Sequence, residues 1–534
     1  MVYEVKNSAS VCKYLHLSSL EVLNVLLKMF FSVYFVQSAI IIIALSLNGY
    51  QSKAEELSLE NSIVYGPGLK ADFVVPVRYF FIQLVDKNGK NFTSSPSGQL
   101  SAQVRGSKEA CQVWMQLLNV RDGSFIVRYR LYRTCSGLHI EVKYNEKHIA
   151  DSPYIVEGDV YHEHCYCPKS FLDWSASLEC PDSHPQIKDD LQPFKEIDMN
   201  AVLKQALKRF NNPGAYSICH YSVVSNEIYR KCYGQYVGFN MFMDSILLSL
   251  TRKVILPDVE FIINLGDWPL EETSKNPLPI LSWCGSKGSK DIVMPTYDIT
   301  ESTLEMMGRV MLDILAIYGN CEDPWENKTE VAFWRGRDSR QERLDLITLS
   351  RRYPDLINAS LTNFFFFRDV EEKYGPKVKP VSFFYFFKYK YQINVDGTVA
   401  AYRFPYLLAG DSVVLKQDSD YYEHFYNMLT PMVHYIPFKR DLSDLVEKLK
   451  WAKEHDEEAR TIAQNARHFT RDNLLPHNIF CYYALLLKEY SKLLKNKVEV
   501  HSGMEHVPQP KDKPTCECKD NQIPVGQLRR KEEL

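Results

Sequence analysis

Between Ser58 and Glu157 apolar and polar residues alternate in short runs separated by turn residues, the period-two pattern of strands that bury one face. Phe73-Val-Val-Pro-Val-Arg-Tyr-Phe-Phe-Ile-Gln-Leu84 runs into Asp86-Lys-Asn-Gly89, a hairpin-type turn. Asp122-Gly-Ser opens another segment in which Phe125, Val127 and Tyr129 share a face, and Leu138 to Tyr144 alternates likewise. Several strands at this spacing predict a β-sandwich over 58–158. From Tyr161 the period lengthens. Met241 to Leu250, and Leu304 with Met307, Val310, Met311 and Ile314, carry apolar residues at helical spacing. Val259 to Leu265 and Ser412 to Lys416 read as buried strands, and Asp441 to Phe469 as a helix capped by Asp441 or Ser443. Alternation of strands and helices over 161–495 predicts two α/β layers with a cleft between them. Beyond Lys495 the chain turns polar and rich in Pro and Lys, which predicts a flexible tail over 496–534.

A chain of 534 residues is too long for one ordinary core, which fits this division. A net charge of -3 leaves no excess of Lys and Arg to neutralise phosphates, so a global nucleic-acid-binding role is excluded. The apolar run from Val22 to Leu47, followed by small and polar residues to Ala54, has the shape of a secretory leader over 1–54. A retained membrane anchor is the rival reading, since the run approaches a bilayer's thickness. The C-terminal Lys531-Glu-Glu-Leu534 is one residue from the Lys-Asp-Glu-Leu signal read by a retrieval receptor. Together the two ends predict the lumen of the endoplasmic reticulum. Asn91, Asn327 and Asn358 head N-glycosylation sequons. Thirteen cysteines include local groupings, Cys165 and Cys167 with Cys180, Cys219 with Cys232, and Cys516 with Cys518, which read as disulfides in that compartment with the partner of each cysteine left open. Cys481 is placed to staple the C-terminus back. A zinc site at His162, His164, Cys165 and Cys167 is the alternative, but the spacing matches no common zinc module.

Three segments carry candidate chemistry. Asp267 in Asn264-Leu-Gly-Asp-Trp-Pro269 follows an apolar strand, at the edge where open α/β sheets bind ligands. A carboxylate there suits a general base, or only a turn cap. Trp334-Arg-Gly-Arg-Asp-Ser-Arg-Gln-Glu-Arg343 sets four arginines within nine residues behind a strand. It reads as a phosphate clamp or as a solvated helix start with internal ion pairs. Val395-Asp-Gly-Thr-Val-Ala-Ala-Tyr-Arg403 resembles a glycine-opened helix start that could take a phosphate, or close packing that needs small residues. Asp418-Ser-Asp420 resembles a metal chelate but is a common tripeptide. The runs Phe364–Phe367 and Phe383–Phe387 read as core, with Lys388 and Lys390 as solvated flank.

Residues 58–158 resemble a filamin-type immunoglobulin-like repeat. Its marks are Gly66-Pro-Gly-Leu69, Asp122-Gly-Ser-Phe-Ile-Val-Arg-Tyr129 and His148-Ile-Ala-Asp-Ser-Pro-Tyr154, in that order. The Asp267 segment, the arginine cluster, Lys388-Tyr-Lys-Tyr-Gln-Ile-Asn394, the segment through Arg403, and Tyr422-Glu-His-Phe-Tyr426 stand in the order of the capsule-associated-protein-like glycosyltransferases, family 90. That resemblance implies a GT-B-like domain of two Rossmann-like halves. It also implies an inverting, metal-independent transfer of glucose, or xylose, from a UDP-sugar to a serine of epidermal-growth-factor-like repeats, with no cofactor. It assigns Asp267 as base, and Arg337, Arg343, Thr398, Val399, Ala400, Ala401, Tyr402 and Arg403 as donor-binding positions. A shorter family member has Arg where this chain has Gly266, has Ser where it has Arg337, and carries a longer loop after Tyr297, differences that bear on acceptor choice. The competing reading is a lumenal binding or quality-control protein that works through its filamin-like domain.

Overall fold

The computed structural model describes residues 56–107, 111–215, 217–235, 238–272, 276–305, 312–511, 516 and 518. The leader and Lys531–Leu534 lie outside them. The first sheet of the sandwich orders Leu57–Tyr65, Arg78–Asp86, Ser124–Leu131 and Val113–Asn119. In the second, Cys135–Tyr144 pairs with Leu100–Gly106, Lys147–His148 and Tyr154–Val160. The Asp122-Gly-Ser turn needs its glycine: Gly123 has φ 84°, and a Cβ there would meet the Phe92 carbonyl oxygen at 2.3 Å. Phe80, Ile82, Val127 and Tyr129 face Leu138, Ile140 and Val142 inside the sandwich. Tyr79, Phe81 and Ile126 point the other way and join the core of the α/β region. The Arg78–Asp86 strand is thus covered on both faces, which explains why its sequence is a continuous apolar run.

That second face makes a close-packed joint. The Arg128 guanidinium donates to both Asp313 oxygens at 3.1 and 3.0 Å, and both side chains are buried. Gly319 runs so close beneath Leu118 that a Cβ would lie 2.7 Å from the leucine side chain. The Arg471 guanidinium lies 4.1 Å from the Phe81 ring centre.

The α/β region has two halves. The first sheet orders Ile292–Val293, Ile280–Ser282, Val259–Asn264, Ile218–Val224, Glu227–Tyr233 and Glu505–His506. Its first three strands are parallel and the rest antiparallel. The second sheet orders Ile357–Asn363, Thr329–Arg337, Tyr389–Asn394, Val413–Gln417 and Ile436–Phe438, all parallel. Within that half the chain visits the strands in the order 2-1-3-4-5. The order therefore reverses between Thr329–Arg337 and Tyr389–Asn394, which opens a crevice past their C-terminal ends. Gly285–Ser286 pairs with Tyr421–Tyr422 and ties the halves together. The Pro476–Ser491 helix returns to the first half, where Tyr482, Tyr483 and Tyr490 hydroxyls donate to the carbonyls of Val293, Pro295 and Pro279. Its Cys481 is bridged to Cys180. The fold is a filamin-type sandwich followed by a GT-B-like α/β pair.

Several local expectations are corrected. Asp441 to Phe469 is not one helix: His455, at φ −118° and ψ 56°, separates Leu445–Glu454 from Asp456–Asn473. The break lets Asp456 accept from Trp325 Nε1 and Lys390 Nζ at 2.9 Å each. Lys390 is consequently buried between Asp456 and Glu330, not solvated. Leu304 ends the Tyr297–Leu304 helix, and Asp313 caps a separate Ile314–Gly319 helix; Met307, Val310 and Met311 lie outside the described residues. The segment past Lys495 is tied down through 511. Glu505–His506 completes the edge of the first sheet, and Arg230 bonds Glu505. Polar composition says nothing of an unpaired strand edge waiting for it. The structure also settles pairings the sequence left open: Cys516 bridges Cys165 and Cys518 bridges Cys167. Those thiols are thereby removed from any zinc site with His162 and His164. Cys219–Cys232 is the local pair, and Cys111–Cys135 staples the sandwich. No described helix is long and apolar enough to cross a membrane.

Candidate active site

The wholly buried Val259–Asn264 strand delivers the first candidate. Asn264 stitches the turn beyond it: the Gly266 N–H donates to Asn264 Oδ1 at 2.8 Å, and Asn264 Nδ2 donates to the Trp268 carbonyl at 2.6 Å. Asp267, between them, is half-buried, and Trp268 beside it is exposed and packs edge-on to Tyr421. The Tyr297 hydroxyl donates to Asp267 Oδ1 at 3.3 Å. Burial pushes the Asp267 carboxyl above the usual carboxylate range, and the Tyr297 bond and the Arg337 charge pull it part of the way back. A carboxylate with thinned hydration and one long hydrogen bond is suited to take a proton.

The arginines divide by task. Arg335 donates to the Trp334 and Asn358 carbonyls and to Asn358 Oδ1, so it braces neighbouring strands. Arg343, with its five donors, gives Nε–H to the Asp396 carbonyl at 2.7 Å. It also bonds the Arg337 carbonyl at 2.9 Å, the Val395 carbonyl at 3.2 Å and Ser339 Oγ at 3.3 Å. Burial, reinforced by Arg403, lowers it to about 9. Arg340 lies over the Tyr421 ring. Arg337 is exposed, and its guanidinium has no hydrogen-bond or ion-pair partner among the described residues. Between these cations Asp338 is fully buried and accepts the backbone N–H groups of Phe365, Phe366 and Phe367 at 2.8, 2.9 and 2.6 Å. That loop holds Phe365 and Phe366 about half exposed, at 51% and 52%, which corrects their reading as core. Phe364, Phe386 and Phe387 are buried as expected.

The third segment is not a helix start. Residues 395–403 form a loop, and the helix is the six-residue Phe404–Ala409. Pro405 fixes the reason, because proline has no N–H and fits only a helix's first turn. Arg343 secures the loop's base through the Val395 and Asp396 carbonyls. At its end, Arg403 Nη1 donates to the Arg335 carbonyl at 2.5 Å. Burial lowers Arg403 to about 10, opposed by Asp298, and burial with Glu301 raises Asp298 to about 6.

One cavity of about 440 Å³ gathers these pieces at the predicted crevice. Asp267, Arg337, Arg343 and the run Thr398, Val399, Ala400, Ala401, Tyr402 and Arg403 all line it, with Tyr297, Asp298 and Phe386. Tyr297, Asp298, Asn264 and Asp338 were not marked by sequence reasoning. Asn264 and Asp338 stand inside segments marked for other residues, nothing in the sequence around Tyr297 and Asp298 points to a site, and only folding sets Tyr297 beside Asp267, 30 residues earlier. Asp418 and Asp420 pair with Lys287, and Asp420 also with Arg440, so the chelate-like tripeptide is a set of ion pairs. Asn91 and Asn327 are exposed. Asn358 sits half-buried in a strand with its amide bonded to Arg335 and Tyr389, which a glycan would displace.

Comparison with known proteins agrees with this architecture. The filamin/ABP280 repeat model matches residues 56–155, and the glycosyl transferase family 90 model matches residues 175–523. Protein O-glucosyltransferase 2 of Danio rerio is 53% identical over 461 residues, 85% of this chain and 92% of the relative. Protein O-glucosyltransferase 3 of Homo sapiens is 52% identical over 473 residues, 86% and 93% of the two chains. Protein O-glucosyltransferase 1 of Homo sapiens is 30% identical over 342 residues, 62% of this chain and 85% of the relative. With a cavity that presents a poised carboxylate to a set of arginines, and with a family model that spans most of its length, this chain is a glycosyltransferase and belongs to glycosyl transferase family 90.

Proposed function

We propose that the protein transfers glucose from UDP-glucose to a serine hydroxyl of epidermal-growth-factor-like repeats, with inversion, in the lumen of the endoplasmic reticulum. The observation that carries this reading is the cavity that sets Asp267 together with Arg337, Arg403 and the rest of loop 397–403. Asp267 takes the serine proton as the serine oxygen attacks the anomeric carbon. The bond from that carbon to the diphosphate oxygen breaks on the opposite face, and UDP departs with the electron pair. Arg337 and Arg403 offset the charge growing on the diphosphate, which in other enzymes falls to a metal ion. Arg343 acts one step back, since its donors mainly hold the loop in place. Asp298, half-buried beside Arg403, is positioned to accept from a sugar hydroxyl.

The lumenal placement rests on the leader, the Lys531–Leu534 tail as ligand of a retrieval receptor, and five disulfides among the described residues. The membrane enters only if the leader is retained. The test is intact-mass analysis of a folded epidermal-growth-factor-like repeat after incubation with the protein and UDP-glucose, with and without EDTA. A gain of one hexose, lost in Asp267→Asn, is expected. No gain with UDP-glucose or UDP-xylose across several repeats would transfer the case to a binding protein working through the filamin-like domain.

A further inference from the structure

Away from the donor cavity, a second set of polar side chains converges on one point. His220 on the Ile218–Val224 strand and Glu260 on the adjacent Val259–Asn264 strand share a sheet face, because the register sets Ser222 opposite Glu260 and His220 two residues along. His501 arrives from the segment past Lys495. His220 Nε2 and His501 Nε2 lie 2.8 and 2.9 Å from the same oxygen, Glu260 Oε1. His220 and Glu260 are 1% and 4% exposed and His501 33%. We propose that His220, Glu260 and His501 form a binding site for one divalent transition-metal ion, with zinc the best match.

Two imidazole nitrogens and one carboxylate oxygen are a donor set that zinc favours, and they leave a fourth position for water. The three ligand atoms lie within 4.8 Å of one another. Tetrahedral zinc, with bonds near 2.0–2.2 Å, needs about 3.4 Å between ligands, so each histidine nitrogen opens from the Glu260 oxygen by about half an ångström while the separation of the two nitrogens adjusts from within 4.8 Å toward the same value. A second observation favours an occupant. Ser222 is wholly buried on the same sheet face, directly across from Glu260, and its hydroxyl has no hydrogen-bond partner among the described residues. A metal-bound water would satisfy it. His501, one third exposed, gives the ion a way in. Glu260 is near the start of the strand whose far end carries Asp267, about 13 Å of strand away from that turn, so the site is separate from the transfer chemistry. Its consequence is structural: an ion held by two strands and by His501 clips the C-terminal segment to the first sheet.

The test uses the full chain made in secretory cells, freed of metal by dialysis against EDTA and then titrated with Zn²⁺ alone, and separately with Co²⁺ as an absorbing probe. One equivalent of zinc per chain is expected, with micromolar or tighter affinity on the order of known His-rich sites, a tetrahedral Co²⁺ spectrum and a rise in Tm. His501→Ala should weaken zinc binding at least about tenfold, and Glu260→Gln should do the same. His501 is partly exposed, so its variant stays interpretable if the buried Glu260 variant fails to fold. No stoichiometric zinc at about 100 μM metal, or binding unchanged in His501→Ala, would overturn the site and leave a hydrogen-bonded His–Glu–His trio.

Discussion

At the scale of single residues, the pairing of Asp267 with Tyr297 makes a signed prediction. Burial has already raised the Asp267 carboxyl, and the Tyr297 hydroxyl opposes that rise. As the proposed base it works only when ionised, so transfer should fall as pH drops through its pKa. Tyr297→Phe removes a stabiliser of the ionised form, and the acid limb of the kcat profile should move to higher pH. Asp267→Asn should lower kcat by about 10³-fold, the range of a lost general base, with UDP protection against thermal unfolding intact. Arg403→Ala should do the reverse in binding, raising the UDP Kd by about 100-fold, the scale of a lost charged contact to phosphate, and abolishing that protection. Peptide mapping of chain made in a secretory cell should find glycans at Asn91 and Asn327 and none at Asn358. Asp267 was legible because a carboxylate just past an apolar strand is a recognisable pattern. Asn264, which holds the turn around it, was not, since an asparagine ending a strand announces nothing until its two hydrogen bonds are seen.

Among elements, the loops past the parallel strands decide the site, and their shape depends on contacts remote in sequence. Asp338 pins the loop after Ile357–Asn363 by three backbone N–H bonds. That loop follows Thr362 in the cavity wall. Asp338→Asn keeps the side chain's size but replaces one accepting oxygen by a donor. It should cost about 2–4 kcal/mol of stability, the scale of lost bonds to a buried charge, read as a lower denaturant midpoint, and it should raise KM for the UDP-sugar. Strand positions were legible from their apolar runs, as Val259–Asn264 and Val413–Gln417 illustrate. Helix ends were less so. Pro405 forbids an early helix start before Phe404, yet the small residues ahead of it imitate one. His455 breaks a helix whose apolar period continues across it, because Asp456 is drawn to Trp325 and Lys390.

For the whole molecule, the sandwich and the α/β region share one core through the outer face of the Arg78–Asp86 sheet, and the buried Arg128–Asp313 pair sits in that joint. Arg128→Ala strands a carboxylate that is 4% exposed, at a cost of about 3 kcal/mol or more. Scanning calorimetry should then resolve two transitions where the native chain gives one. Local sequence was enough for the two-part architecture, the strand cores and the carboxylate and arginine segments that line the cavity. Each of these is written in local periodicity or in residue types that lie close together along the chain. Folding in three dimensions was needed to show which arginines are left to meet a ligand, that Tyr297 and Asp298 join the cavity, how Cys165 and Cys167 find Cys516 and Cys518, and where the C-terminal segment lies. Those outcomes depend on which distant backbone carbonyls, strand edges and half-cystines come within a few ångströms. That is set by the packing of whole layers against one another, and no window along the chain contains it.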